Sequence, residues 1–194
     1  MSNVFYQDFK VSYQKKCQLM GQAGLVIWFT GISGAGKSTI AVETERLLYE
    51  KGIKTCLLDG DNIRLGINSD LGFSNADRDE NIRRVSEIAK LFCNTGIVTL
   101  VSFISPFALM RENAKNLIGS ERFIEIFVRA SLETCRQRDP KGLYEKKISN
   151  FTGIDSAYEP PVSPDLILDT EELNINDCVL LVVKTVFERL GKTL

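Results

Sequence analysis

Histidine is absent from all 194 residues. That excludes His general bases, His-metal sites and Ser-His triads at once. The five cysteines (17, 56, 93, 135 and 178) show no Cys-x-x-Cys spacing, and three of them sit in apolar runs. They read as reduced core thiols of a cytoplasmic protein, neither a zinc site nor a disulfide framework. Charge of one sign is also missing. With a net charge of −1, no long-range field gathers nucleic acid or an anionic membrane, so an anionic small molecule needs local Arg and Lys clusters. No apolar run approaches the ~20 residues of a membrane span. Residues 1–24 lack the apolar centre of a signal peptide. The remaining composition, 44% hydrophobic and 25% charged, suits one α/β domain large enough to bury its own core.

What is present concentrates in Gly31-Ile32-Ser33-Gly34-Ala35-Gly36-Lys37-Ser38-Thr39, which follows the apolar run Leu25–Phe29. The order strand, Gly-rich turn, helix start is that of a phosphate-binding P-loop. Its glycines let consecutive N–H groups face phosphate oxygens. Lys37 adds a charge toward the β- and γ-phosphates, and the Ser38 hydroxyl is a Mg²⁺ ligand. A nucleoside triphosphate site follows.

Periodicity predicts alternating strands and helices. A short helix falls in 10–20, a strand at Leu25–Thr30, and a helix from Lys37 to Lys51 buries Ile40, Val42, Leu47 and Leu48. A second strand spans Ile53–Leu58, and a helix from Asp77 to Asn94 opens with a capping box at Ser74–Asp77. Ile97–Phe103 reads as a central parallel strand, and Pro106 starts a helix to Ile118. Phe123–Val128, Leu132–Arg138, Leu166–Leu168 and 177–190 complete a strand, helix, strand, helix series. The alternation predicts a doubly wound α/β fold: about five parallel strands in three layers, with helices on both faces. Between Asp139 and Pro164 lies a polar stretch with four of the five prolines, the expected lid.

Chemistry-bearing residues cluster at strand ends, where ligands bind in open α/β sheets. In Asp59-Gly60-Asp61-Asn62-Ile63-Arg64 a carboxylate suits a hydroxyl proton and a guanidinium suits an anionic acceptor. The same carboxylates also fit a polar turn capping the next helix. In Asp77–Arg84, Arg78 and Asn81 share the first turn and are better placed for a ligand than Arg83 or Arg84. Ser105 before Pro106 fits a helix cap or direct chemistry. Ser102 stands where many P-loop enzymes carry a Mg²⁺-binding Asp. Arg136, Arg138 and Lys141 bring cations to the lid entrance.

Together these residues resemble the adenylylsulfate kinase family. The signatures are Gly31–Thr39, Asp59–Arg64, Asp70–Ser74, Asp77–Arg84, Ser102–Pro106, Arg138–Tyr144 and Phe151–Ser156. The resemblance implies ATP and Mg²⁺ as cofactors and phosphorylation of the 3′-hydroxyl of adenosine 5′-phosphosulfate. It implies Asp61 as base, with Arg64, Arg78 and Asn81 on the phosphosulfate. Phe73 and Phe151 would sandwich the acceptor adenine, with Ile104, Ser105, Lys141 and Leu143 completing that pocket. Arg138 would lie against the ATP adenine, and Ser105 matches a serine once assigned a phosphoserine role. A homodimer, and a sulfate adenylyltransferase as possible partner, are implied likewise.

The sequence departs from the family pattern in three places. The segment 145–150 is short for the lid, a Trp-His pair before the first helix is absent, and Ser69 replaces a common basic residue. A kinase of another modified nucleotide, such as a cytidine diphosphate derivative, is the alternative that the short lid suggests. A non-catalytic nucleotide-binding module is a third reading, against which Lys37, Ser38, Asp61 and Arg64 all stand.

Overall fold

The computed structural model describes residues 4–146 and 151–193. Ser12 caps α1 (Tyr13–Met20), and Gly21 ends it in the left-handed region at φ 70°. Every residue of β1 (Leu25–Thr30) is buried. Leu25, Ile27 and Phe29 enter one apolar cluster, Val26 and Trp28 the other. Both faces of the strand are therefore covered, which is why its sequence is a continuous apolar run. Next come α2 (Lys37–Glu50), β2 (Thr55–Asp59), α3 (Gly60–Leu65), α4 (Asn75–Cys93), β3 (Val98–Ser102) and α5 (Ala108–Ile118). A 3-10 turn at Ser120–Arg122 leads into β4 (Phe123–Arg129), α6 (Leu132–Arg138), β5 (Leu166–Asp169) and α7 (Ile175–Arg189).

The five strands pair in parallel in the order β2-β3-β1-β4-β5. Helices α2 and α7 pack one face, through Ile40, Leu48, Val182 and Val186. Helices α4 and α5 pack the other, through Ile82, Val85, Ala114 and Ile118. This is the expected three-layer architecture, with β1 and its P-loop at the centre.

Three expectations are corrected. Val42 is 51% exposed. The buried residues of α2 run Ile40, Thr44, Leu48, a four-residue spacing that puts position 42 on the opposite side. Helix α5 starts at Ala108, with Phe107 as an N-cap lacking any side-chain bond, so Pro106 is not its first residue. Ser105 is then not a cap. It lies outside the helix at φ 45°, and its hydroxyl accepts a hydrogen bond from the Trp28 indole instead. Helix α3 has no counterpart among the expected elements, because six residues are too few to show a period. The capping box on α4 is present as expected, with Ser74 and Asp77 bonding reciprocally.

The described part of the stretch 139–164 holds no helix or named strand, yet its second half is fastened to β1 and α5. The Tyr158 hydroxyl lies 3.0 Å from Thr30 Oγ1. Arg111 donates to the Glu159 carbonyl at 2.8 Å, and Glu159 Oε2 accepts from the Ala108 N–H at 2.7 Å. Residues 147–150, inside both the expected lid and the short segment, lie outside the described residues.

Candidate active site

The carboxyl ends of β1, β2 and β3 open into one cleft of about 1410 Å³. The site residues expected from the sequence line it, except Gly31 and the lid-entrance Arg136. Gly31 acts from behind: a Cβ there would sit 2.3 Å from the Val128 carbonyl, and its φ of 149° already disfavours a side chain.

Ser33 to Thr39 line one end of the cleft, before and into the first turn of α2. The N-cap of that helix, Gly36, provides no side-chain bond, so the first N–H groups remain for an anion. Lys37 is buried and donates to the Ile32 carbonyl at 2.9 Å. Burial first, and then the charge of Lys141, pull its pKa down to about 8. Ser38 Oγ donates to Asp59 Oδ2 at 2.7 Å and lies 3.3 Å from Ser102 Oγ. Asp59 and Ser102 are register partners at the ends of β2 and β3. These three hard oxygens suit Mg²⁺. Among the described residues no cluster of three or more Asp, Glu, His or Cys could cage a metal. Phosphate oxygens and water must complete such a shell.

Arg138, at the end of α6, donates to Thr170 Oγ1 at 2.8 Å and to its carbonyl at 2.6 Å. Thr170 Oγ1 in turn donates to the Ala35 carbonyl at 3.1 Å. The arginine is thereby tied to the P-loop, beside cleft residues Leu173 and Asn174 that sequence reasoning missed. Thr170 directly follows β5, so the strand-end rule could have found it.

The other end of the cleft carries the acceptor-side candidates. Asp61, in the first turn of α3, forms an ion pair with Lys141 from the opposite wall. Asp59 serves as the cap of that helix, accepting from Asp61 N, so the capping reading holds for Asp59 while Asp61 faces the cleft. Arg64 donates to the Leu71 and Gly72 carbonyls at 3.1 and 2.9 Å, and its guanidinium lies 4.4 Å from the Phe73 ring centre. Arg78 is buried, donates to the Phe73 carbonyl at 3.0 Å and bonds the Thr152 hydroxyl. Burial lowers its pKa, and the nearby Arg64 charge adds to the effect. Two guanidiniums held this close favour an anion between them. Asn81 is one turn on, its Oδ1 fixed by Asn68 Nδ2 at 2.9 Å.

Phe73 is 56% exposed at the rim. Phe151 meets Tyr144 edge-on at 4.8 Å, and the Tyr144 hydroxyl donates to the Ser33 carbonyl at 2.7 Å. The aromatic wall is thus joined to the P-loop. Ile104, Ser105 and Leu143 line the floor and side. Arg83 and Arg84 pair instead with Glu80, and Arg84 also with Asp70. They lie outside the cleft, as does Arg136.

The adenylylsulphate kinase family model matches residues 23–169. The curated adenylyl-sulfate kinase of Clostridium acetobutylicum is 50% identical over 182 residues, covering 92% of this chain and 90% of its own. That of Aeromonas salmonicida is 54% identical over 172 residues, covering 87% and 88%. Among solved structures, the APS kinase of Mycobacterium tuberculosis in complex with AMPPNP and APS aligns with a TM-score of 0.81 at 45% identity. That alignment covers 85% of this chain and 98% of that one.

Proposed function

The chain belongs to the adenylylsulfate kinase family, and on that premise we propose that it transfers the γ-phosphoryl group of ATP to the 3′-hydroxyl of adenosine 5′-phosphosulfate. One observation carries the reading: a single cleft joins a P-loop to a guanidinium pair and an aromatic pair, with Asp61 also on its wall.

In this reading the loop N–H groups and Lys37 hold the β- and γ-phosphates. Arg138 lies against the ATP adenine. Phe73 and Phe151 sandwich the acceptor adenine, and Arg64, Arg78 and Asn81 hold the phosphosulfate. Ile104, Ser105, Lys141 and Leu143 complete the acceptor pocket. Asp61 accepts the 3′-OH proton as the acceptor oxygen bonds to the γ-phosphorus and the bond to the β–γ bridging oxygen breaks. ADP leaves with that electron pair. Lys141, paired with Asp61 in the free protein, is placed to follow the developing charge. Ser38, with Asp59 and Ser102 beside it, would hold Mg²⁺, which when bound offsets charge on the phosphate oxygens.

The wider reading has residues 1–24 as an arm, 25–194 as the kinase domain and 139–164 as its lid. It also has a homodimer in the cytoplasm, with sulfate adenylyltransferase as a possible partner. All five cysteines are free, as a reducing compartment requires. Among the described residues no helix is long and apolar enough to cross a membrane. The family and its relatives support adenylylsulfate as acceptor over the other modified nucleotide that the short segment 145–150 suggests.

A coupled assay of ADP release tests the function. Turnover should depend on added adenylylsulfate; a rate equal with and without it would reject the assignment.

A further inference from the structure

Ser105 is the one described non-glycine residue with φ above about +20°, at 45°. A left-handed backbone at a side-chain-bearing residue is strained and persists only where its surroundings enforce it. The residue before a proline is restricted further. Two groups supply the enforcement. Arg111, 3% exposed and paired with Glu125 at 2.8 Å, donates to the Ser105 carbonyl at 2.7 Å. Trp28, wholly buried in β1 and stacked on Phe123, donates its indole N–H to Ser105 Oγ at 3.0 Å.

That second bond decides what the hydroxyl has left to offer. A serine hydroxyl carries one proton and two lone pairs. The indole occupies one lone pair, and among the described residues nothing accepts the proton. Ser105 lines the cleft beside Ile104 and Arg78. Ser105 is itself 1% exposed, so water is a poor alternative partner, and the indole fixes the direction of a hydroxyl whose own proton is left for a ligand in the cleft.

We propose that Trp28 is a positioning residue for Ser105: its indole N–H fixes the hydroxyl so that the serine proton is donated to the acceptor nucleotide in the cleft. The proposal rests on the acceptor-kinase reading and adds a residue behind the pocket wall, with no contact of its own to substrate. Trp28 then acts on acceptor use and leaves ATP use alone.

The test is a double-mutant cycle in the ADP-release assay, on folded full-length protein. Trp28→Phe keeps a ring against Phe123 and removes the N–H. It should lower kcat/KM for adenylylsulfate roughly five-fold, the size of one hydrogen bond, with KM for ATP within about two-fold of wild type. Ser105→Ala should do at least as much, and the double variant no more than Ser105→Ala alone. Multiplicative effects of the two substitutions, or equal effects on both substrates, would overturn the proposal.

A second measurement needs no change at Trp28. Because the chain holds a single tryptophan, its emission reports the surroundings of this indole, its bond to Ser105 among them. Adenylylsulfate added to the ADP-bound wild type should change the emission, and Ser105→Ala should abolish that response. An identical response in Ser105→Ala would overturn the proposal. Wild-type protein inert toward adenylylsulfate would overturn the functional reading and the proposal together, whereas turnover with multiplicative effects would overturn the proposal alone.

Discussion

Burial at Lys37 aims the ammonium along the P-loop and at the same time loosens its hold on a proton. In the free protein its pKa stands at about 8, lowered chiefly by desolvation. A bound triphosphate supplies the missing counter-charge and raises it again. Below pH 8 the ammonium is charged before and after binding, so affinity is level. Above pH 8 the free protein must take up a proton to bind, so ATP affinity should fall by up to about ten-fold per pH unit. Calorimetry at about pH 9 in buffers of different ionisation enthalpy should register that uptake; no uptake would contradict the buried, uncompensated lysine. Asp61 makes a separable claim. Asp61→Asn should cut kcat by roughly 100-fold or more, the size of general-base catalysis, with ATP affinity nearly unchanged. Its ion pair with Lys141 is solvent-exposed and contributes about 1 kcal/mol or less to stability, so the variant should melt close to wild type. Lys37, Ser38, Asp61 and Arg78 are legible from residue type and spacing alone. Ser105 is legible there as a site residue but not in its conformation, since Ser-Pro favours a cap and only the distant Trp28 and Arg111 impose the left-handed backbone.

The first turn of α4 carries Arg78, with Asn81 one turn on, so in the proposed reading its capping box bears on substrate as well as on folding. Ser74→Ala should cost about 1 kcal/mol, read by urea denaturation. It should raise KM for adenylylsulfate more than KM for ATP; equal effects would show that the turn's position does not matter to the acceptor. In the P-loop, Gly31→Ala would drive a Cβ to 2.3 Å from the Val128 carbonyl. Backbone strain of this kind should destabilise by about 2 kcal/mol or more and be visible as a lowered Tm. The element boundaries that sequence reasoning places well, β1 and α6 above all, are marked by glycines or by a serine cap that forces the chain to turn. Helix α3 is missed although Asp59 caps it, because six residues show no period, and α5 waits for Ala108 because Ser105 is held by Trp28 and Arg111 and the Pro106 carbonyl by the Glu159 N–H.

The parallel order β2-β3-β1-β4-β5 gathers strand ends from distant parts of the chain into one cleft. Alternating apolar and helical segments announce the fold class, but the strand order and the closing contacts depend on pairs far apart in sequence. Thr170 with the P-loop, Arg78 with Thr152 and Lys141 with Asp61 belong to that second group. Such contacts set which residues face one another, and in the proposed reading they divide the cleft into a donor end at the P-loop and an acceptor end at Asp61, Arg64 and Arg78. The central claim is that a phosphoryl group crosses between those ends to a ribose 3′-hydroxyl. Phosphorus NMR of the product made from ATP and adenylylsulfate tests it most directly. The expected product carries the new phosphate as a 3′-monoester with the 5′-phosphosulfate intact. A phosphate at any other position, or ATP consumed with no phosphorylated acceptor, would contradict the account.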